Sequence, residues 1–161
     1  MGGFRVEAYD KQGYPRDWNR DWGVYAAFAP RGEAGDALVK IGVSCDVYNR
    51  IGSLRAGCPY PIQVTLWAGA GKRETAYAIE SALHKIFADR CESGEWFAFN
   101  LADKADKQAF HGVTKMVFSR HTGWMLTWQR ITAEQVNAFA ALTAKKSRKA
   151  KGGQHLTRAG V

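Results

Sequence analysis

From Gly23 onward apolar and polar positions alternate in short, well-bounded runs. In Val24-Tyr25-Ala26-Ala27-Phe28-Ala29, Val24, Ala26 and Phe28 share one face and Tyr25 the other, the period-two pattern of a strand. Pro30 to Asp36 is turn-rich, and Ala37 to Val43 reads as the hairpin partner, with Val39, Ile41 and Val43 on one face. Lys40 and Gly42 fall on the opposite face. If the register permits, Tyr25 and Lys40 therefore share the side away from the core.

Ser44 or Asp46 caps a helix to about Arg55, with Val47, Ile51 and Leu54 one turn apart, and Gly57 and Pro59 end it. Ile62 to Ala68 alternates as a third strand. Arg73 to Asp89 is the strongest helical pattern, its apolar stripe being Ala76, Ile79, Leu83, Ile86 and Phe87. Glu95 to Phe99 reads as a short strand. The order strand, strand, helix, strand, helix, strand predicts an α+β fold, a small and mainly antiparallel sheet flanked by helices.

After Asn100 the character changes. Phe110, Val113 and Val117 predict a helix within Asp103 to Phe118, Trp124 to Trp128 suits a short strand or a loop, and Thr132 with Gln135 forms a capping box for a helix to about Ala144. The expected organisation is an irregular segment over 1–22, a core domain over 23–100, a mostly helical extension over 101–144 and a solvated basic tail over 145–161.

Composition narrows the function. Of the 161 residues 46% are hydrophobic and 12% aromatic, enough for a packed core and against wholesale disorder. No apolar run approaches the roughly 20 residues of a membrane span, and the N-terminus lacks the layout of a signal peptide. A cytoplasmic protein with no membrane partner, monomeric or homodimeric, is the expectation. The formal charge of +8 favours a polyanionic partner, since each cation set against a phosphate releases a counterion. Cys45, Cys58 and Cys91 are irregularly spaced, without a zinc-site pattern, and read as reduced and mostly buried thiols.

Two charged residues stand out. Glu80 lies at the edge of an apolar stripe, where a carboxylate must pair, reach water or hold a metal; pairing with a neighbouring arginine is the plain alternative. Arg50 sits beside the Val47–Ile51–Leu54 stripe, and alone is an ordinary solvated arginine.

Taken together, Val24-Tyr25-Ala26, Val39-Lys40-Ile41-Gly42-Val43-Ser44, Arg50, Ala78-Ile79-Glu80-Ser81-Ala82-Leu83-His84 and Gly94-Glu95-Trp96-Phe97 resemble the successive motifs of GIY-YIG nucleases. The similarity is to the phage-associated branch with KIG and EWF motifs, and it covers about residues 23–100. It implies a divalent-metal-dependent endonuclease, a phosphodiester hydrolase with nucleic acid, DNA foremost, as partner and Mg²⁺ or Mn²⁺ as cofactor. Tyr25 matches the tyrosine that bonds the attacking water or scissile phosphate. Gly42 matches a glycine that lets substrate approach the backbone. Arg50 matches the arginine on the phosphoryl oxygens, and Glu80 the metal-binding carboxylate.

The chain departs from the pattern at Lys40, where the second motif has tyrosine, and at Leu54, where many members have His or Tyr. Asn100 is a poor spacing match for the family's late asparagine. Glu95 and His84 are candidates for supplementary roles, and Trp96 and Phe97 for core aromatics. Tyrosine is a poor base at its reference pKa of about 10. Lys40 on the neighbouring strand would favour the phenolate, or would contact phosphate. Arg55 and the run Lys145, Lys146, Arg148 and Lys149 are expected as further nucleic-acid contacts, a merely solvated tail being the alternative for the run. A catalytically inactive nucleic-acid-binding module of the same fold is the alternative. An interaction protein presenting Trp124 and Trp128 is a third reading.

Overall fold

A computed structural model describes residues 22–32, 34–58 and 60–154. The expected N-terminal irregular segment, apart from Trp22, and the last seven positions of the basic tail lie outside the described residues.

The elements are β1 (Trp22–Pro30), β2 (Asp36–Ser44), α1 (Val47–Gly57), β3 (Val64–Gly71), α2 (Arg73–Ile86), a 3-10 turn (Ala88–Arg90), β4 (Cys91–Ser93), β5 (Trp96–Asn100), α3 (Lys104–Thr122), β6 (Gln129–Thr132) and α4 (Ala133–Gln154). The strands form one sheet in the order β4-β5-β2-β1-β3-β6, antiparallel at each pairing. The fold is α+β, as the alternation of patterns implied.

Helices cover both faces of the sheet. On one, Val24, Ala26, Phe28, Val39 and Ile41 pack against Ala76, Ile79 and Leu83 of α2 and Phe110, Val117 and Phe118 of α3. On the other, Tyr25, Ala27 and Ala29 pack against Val47, Tyr48 and Ile51 of α1 and Val136 and Phe139 of α4. This corrects the expectation that Tyr25 and Lys40 share a face away from the core. That face is a second core, and Tyr25 is 0% and Lys40 8% exposed. The reason lies far along the chain: β6 pairs with β3, and α4 follows it over α1, stacking Phe139 on Tyr48 at 5.0 Å.

Local signals set the helix ends. Asp46, rather than Ser44, caps α1 by accepting from Asn49 N, and Ser44 Oγ accepts from Asp46 N at 2.8 Å. Gly123 ends α3 in the left-handed conformation, φ 80°, which glycine adopts without penalty. The Thr132–Gln135 box forms reciprocally at the start of α4. Several features differ from expectation: β3 runs Val64–Gly71 rather than Ile62 to Ala68, α3 runs on to Thr122, and Cys45 and Cys91 are exposed rather than buried. α2 stops at Ile86, which is exposed rather than part of the apolar stripe, and Phe87 just beyond the helix is buried. α4 runs to Gln154, so the basic run is helical; alanine, lysine and arginine are strong helix formers. No helix among the described residues is long and apolar enough to cross a membrane.

Candidate active site

β5 begins at Trp96, paired with Lys40, so the ladder on that side of β2 stops short of Gly42, Val43 and Ser44. At this open edge side chains from both faces of the sheet reach the same space. A cavity of about 350 Å³ lies there. Tyr25, Gly42 and Arg50 line it from the α1 side, Tyr77 and Glu80 from α2, and Glu95 from the turn between β4 and β5.

Tyr25 and Gly42 face each other across β1 and β2. A Cβ on Gly42 would fall 2.5 Å from the Tyr25 hydroxyl oxygen and 2.6 Å from Cζ. The side of Gly42 toward which a Cβ would project is therefore filled by the phenol, while the residue still lines the cavity. A glycine is needed here for the ring to lie flat across the strand. The Tyr25 hydroxyl accepts a hydrogen bond from Arg50 Nε at 3.2 Å. Burial, the largest influence, raises the Tyr25 pKa above its ordinary value, Arg50 pulls it back, and Glu95 and Glu80 add to the rise. The phenol thus keeps its proton at neutral pH and can donate it. The expected tuning of Tyr25 by Lys40 is not how the charges fall: the cation acting on the phenol is Arg50.

Lys40 lies opposite Ala27, two pairs along from Tyr25 and on the same face. Its Nζ donates to Glu95 at 2.6 Å and sits 5.7 Å from the centre of the Trp96 ring. It reaches the cavity only through Glu95, because a nearly buried ammonium must be paired.

Glu80 is half-buried and makes no hydrogen bond or ion pair among the described residues, so the arginine pairing offered as its plain alternative does not form there. Its pKa is raised, chiefly by burial; His84 lowers it, Glu95 raises it, and Lys40 and Arg50 lower it. His84, one turn further along α2, donates from Nε2 to the Ile41 carbonyl at 2.9 Å. This ties α2 to β2 beside Gly42 and assigns the ring proton to Nε2. No group of three or more His, Cys, Asp or Glu side chains converges among the described residues. The carboxylates lining the cavity are Glu80 and, already engaged by Lys40, Glu95.

The structure thus brings Tyr25, Gly42, Arg50 and Glu80 together, with Lys40 attached through Glu95. It does not bring the other candidates to this cavity. Arg55 Nη1 donates to Asn137 Oδ1 at 2.7 Å, bracing α1 against α4. Lys145, Lys146, Arg148 and Lys149 are exposed on α4. Asn100 accepts from Ala102 N and Asp103 N at the start of α3. Tyr77 and Trp22, which line the cavity, were not singled out by sequence reasoning. Tyr77 had a signal, since it precedes Glu80 by three positions and so shares its helix face.

The T5orf172 domain matches residues 23–111, more than half of the chain, from β1 into α3. Comparisons with curated proteins and with solved structures gave no match. By its sequence from the first strand to the third helix, the chain belongs to the T5orf172 domain family.

Proposed function

We propose that this chain is a divalent-metal-dependent endonuclease of the GIY-YIG type that hydrolyses phosphodiester bonds in DNA, with residues 23–100 as its catalytic unit. One observation carries the reading. An arginine anchored on a buried phenol and a half-buried carboxylate without a partner among the described residues share one cavity at the open edge of β2.

Hydrolysis requires neutralisation of charge on the phosphoryl oxygens and an oriented water. Arg50 serves the first need. Tyr25 takes its Nε–H, so the terminal nitrogens are held as a fixed fork suited to non-bridging oxygens. Tyr25, having accepted that bond, still has its own O–H proton, which it donates to a phosphate oxygen or water. Burial raises its pKa, which favours the donor role over that of a base. Lys40 and Glu95 form a paired charge on the rim, holding the β4–β5 turn against β2.

The residues present fit a hard divalent ion. Glu80 offers carboxylate oxygens, and Mg²⁺ commonly takes one or two carboxylates, its remaining positions filled by water and substrate phosphate. The burial that destabilises the Glu80 charge is relieved by a cation beside it. When bound, the ion supplies Lewis-acid activation of water and phosphoryl group. Lys145, Lys146, Arg148 and Lys149 add sequence-independent phosphate contacts in this reading.

The test is nicking of supercoiled plasmid with Mg²⁺ or Mn²⁺ and with chelator. Cutting is expected only with metal, and Arg50→Ala is expected to slow it about 10²- to 10³-fold, the effect of removing a charge-stabilising donor. The absence of the second-motif phenol, with Lys40 engaged by Glu95, favours the alternative of a binding module without hydrolysis. That alternative predicts plasmid retardation and no cutting under either metal.

A further inference from the structure

The cavity has an aromatic wall that the hydrolytic reading leaves unused. Trp22, the first residue of β1, and Tyr77, one turn before Glu80 on α2, both line it. Their ring centroids are 6.0 Å apart, with 39° between the planes. The Arg73 guanidinium lies 5.3 Å from the Trp22 ring centre and 5.4 Å from that of Tyr77. Arg73 itself is not part of the cavity wall. The cation thus braces the two rings while both face the cavity. Tyr77 remains 42% exposed, a large ring kept in water within a turn of the carboxylate.

We propose that Trp22 and Tyr77, braced by Arg73, form a stacking site for an unpaired base beside the scissile phosphate, so that the substrate is single-stranded or locally unpaired DNA. The proposal rests on the reading of the cavity as a phosphodiester site. In a continuous duplex each base face is covered by its neighbours, and enzymes that need a base must act on a single strand or displace it. A ring three positions from Glu80 on one helix face lies within about 5–6 Å of it, Cβ to Cβ. A base stacked there belongs to the nucleotide next to the phosphate at Arg50 and Glu80. Aromatic faces accept any base. This gives a preference for strand state without a preference for sequence.

The test uses the full chain carrying Glu80→Gln, mixed with single-stranded oligodeoxynucleotides containing 2-aminopurine at internal positions. Stacking is expected to quench the probe on binding. Adding Tyr77→Ala should abolish the quench and weaken single-strand affinity about tenfold, the loss of one stacked base. Tyr77→Phe should retain both, and affinity for a blunt duplex should be unchanged in either variant. Tyr77 is exposed enough for these variants to fold, which their melting temperatures check. Trp22 packs partly against the core and is the poorer choice. Undiminished single-strand affinity and quench in Tyr77→Ala would overturn the proposal, as would equal weakening of single strand and duplex. The hydrolytic reading fails separately, through absence of metal-dependent cutting by the unsubstituted chain; a Tyr77-dependent quench in that case still supports the stacking site.

Discussion

Glu80 holds its charge against its surroundings. Burial raises its pKa most, His84 opposes the rise, Glu95 adds to it, and Lys40 and Arg50 oppose it, with a net upward shift. An acid with a raised folded pKa binds its proton more tightly folded than unfolded. The free energy of unfolding therefore falls as pH rises from the ordinary glutamate range of about 4.3 through the raised value, and stays reduced above it. In chelator at neutral pH, Glu80→Gln is expected to melt at a higher temperature than the unsubstituted chain, the gap closing on acidification below the ordinary range. Mg²⁺ or Mn²⁺ should raise the melting temperature of the unsubstituted chain alone, by mass action on the folded state. A lower melting temperature for Glu80→Gln in chelator would show that the carboxylate makes a stabilising contact. Residue by residue, Tyr25, Arg50 and Glu80 were legible through motif order. The meaning of Gly42 was not, because only the cross-strand register shows that the Tyr25 ring occupies the space above it. Nor was the partner of Lys40, which lies 55 positions away at Glu95.

Among the elements, α1 and α2 were readable because their apolar stripes recur at helical spacing, and α1 carries an aspartate cap. β4 was not, since three exposed residues have no alternation to read. β6 was hidden as well: its four residues include one buried side chain, Ile131. Their consequences are unequal. β4 extends a sheet edge, whereas β6 leads into α4 and so creates the second core. α4 itself divides into a packed part, with Val136 and Phe139 buried, and an exposed basic part. Deleting residues 145–161 should weaken DNA binding. The salt slope should flatten by about 0.9 for each phosphate that is no longer neutralised. Phe139→Ala, by contrast, should cost about 3–5 kcal/mol in chemical denaturation by emptying the stack on Tyr48. An unchanged salt slope after the deletion would remove the basic end of α4 from the DNA-binding surface.

At the scale of the whole molecule, the sheet is covered on both faces and the cavity opens where one strand outlasts its neighbour. That geometry brings groups from opposite faces, Arg50 and Glu80, to one cavity, where the proposed reading has them act on one phosphate. The charge of +8 makes approach of a polyanion favourable from a distance, and the Trp22–Tyr77 wall then selects its strand state. Composition and element order made the α+β class legible. The placing of the cavity depended on where β5 stops against β2, which no local pattern records. The most direct test of the central claim is the single-turnover rate of supercoiled plasmid cleavage, in saturating Mg²⁺ or Mn²⁺, by the unsubstituted chain and by Glu80→Ala. The account predicts metal-dependent cutting that falls by about 10³-fold or more in the variant, the loss of several kcal/mol of transition-state stabilisation, with DNA binding retained. Cleavage by Glu80→Ala at the unsubstituted rate would contradict it.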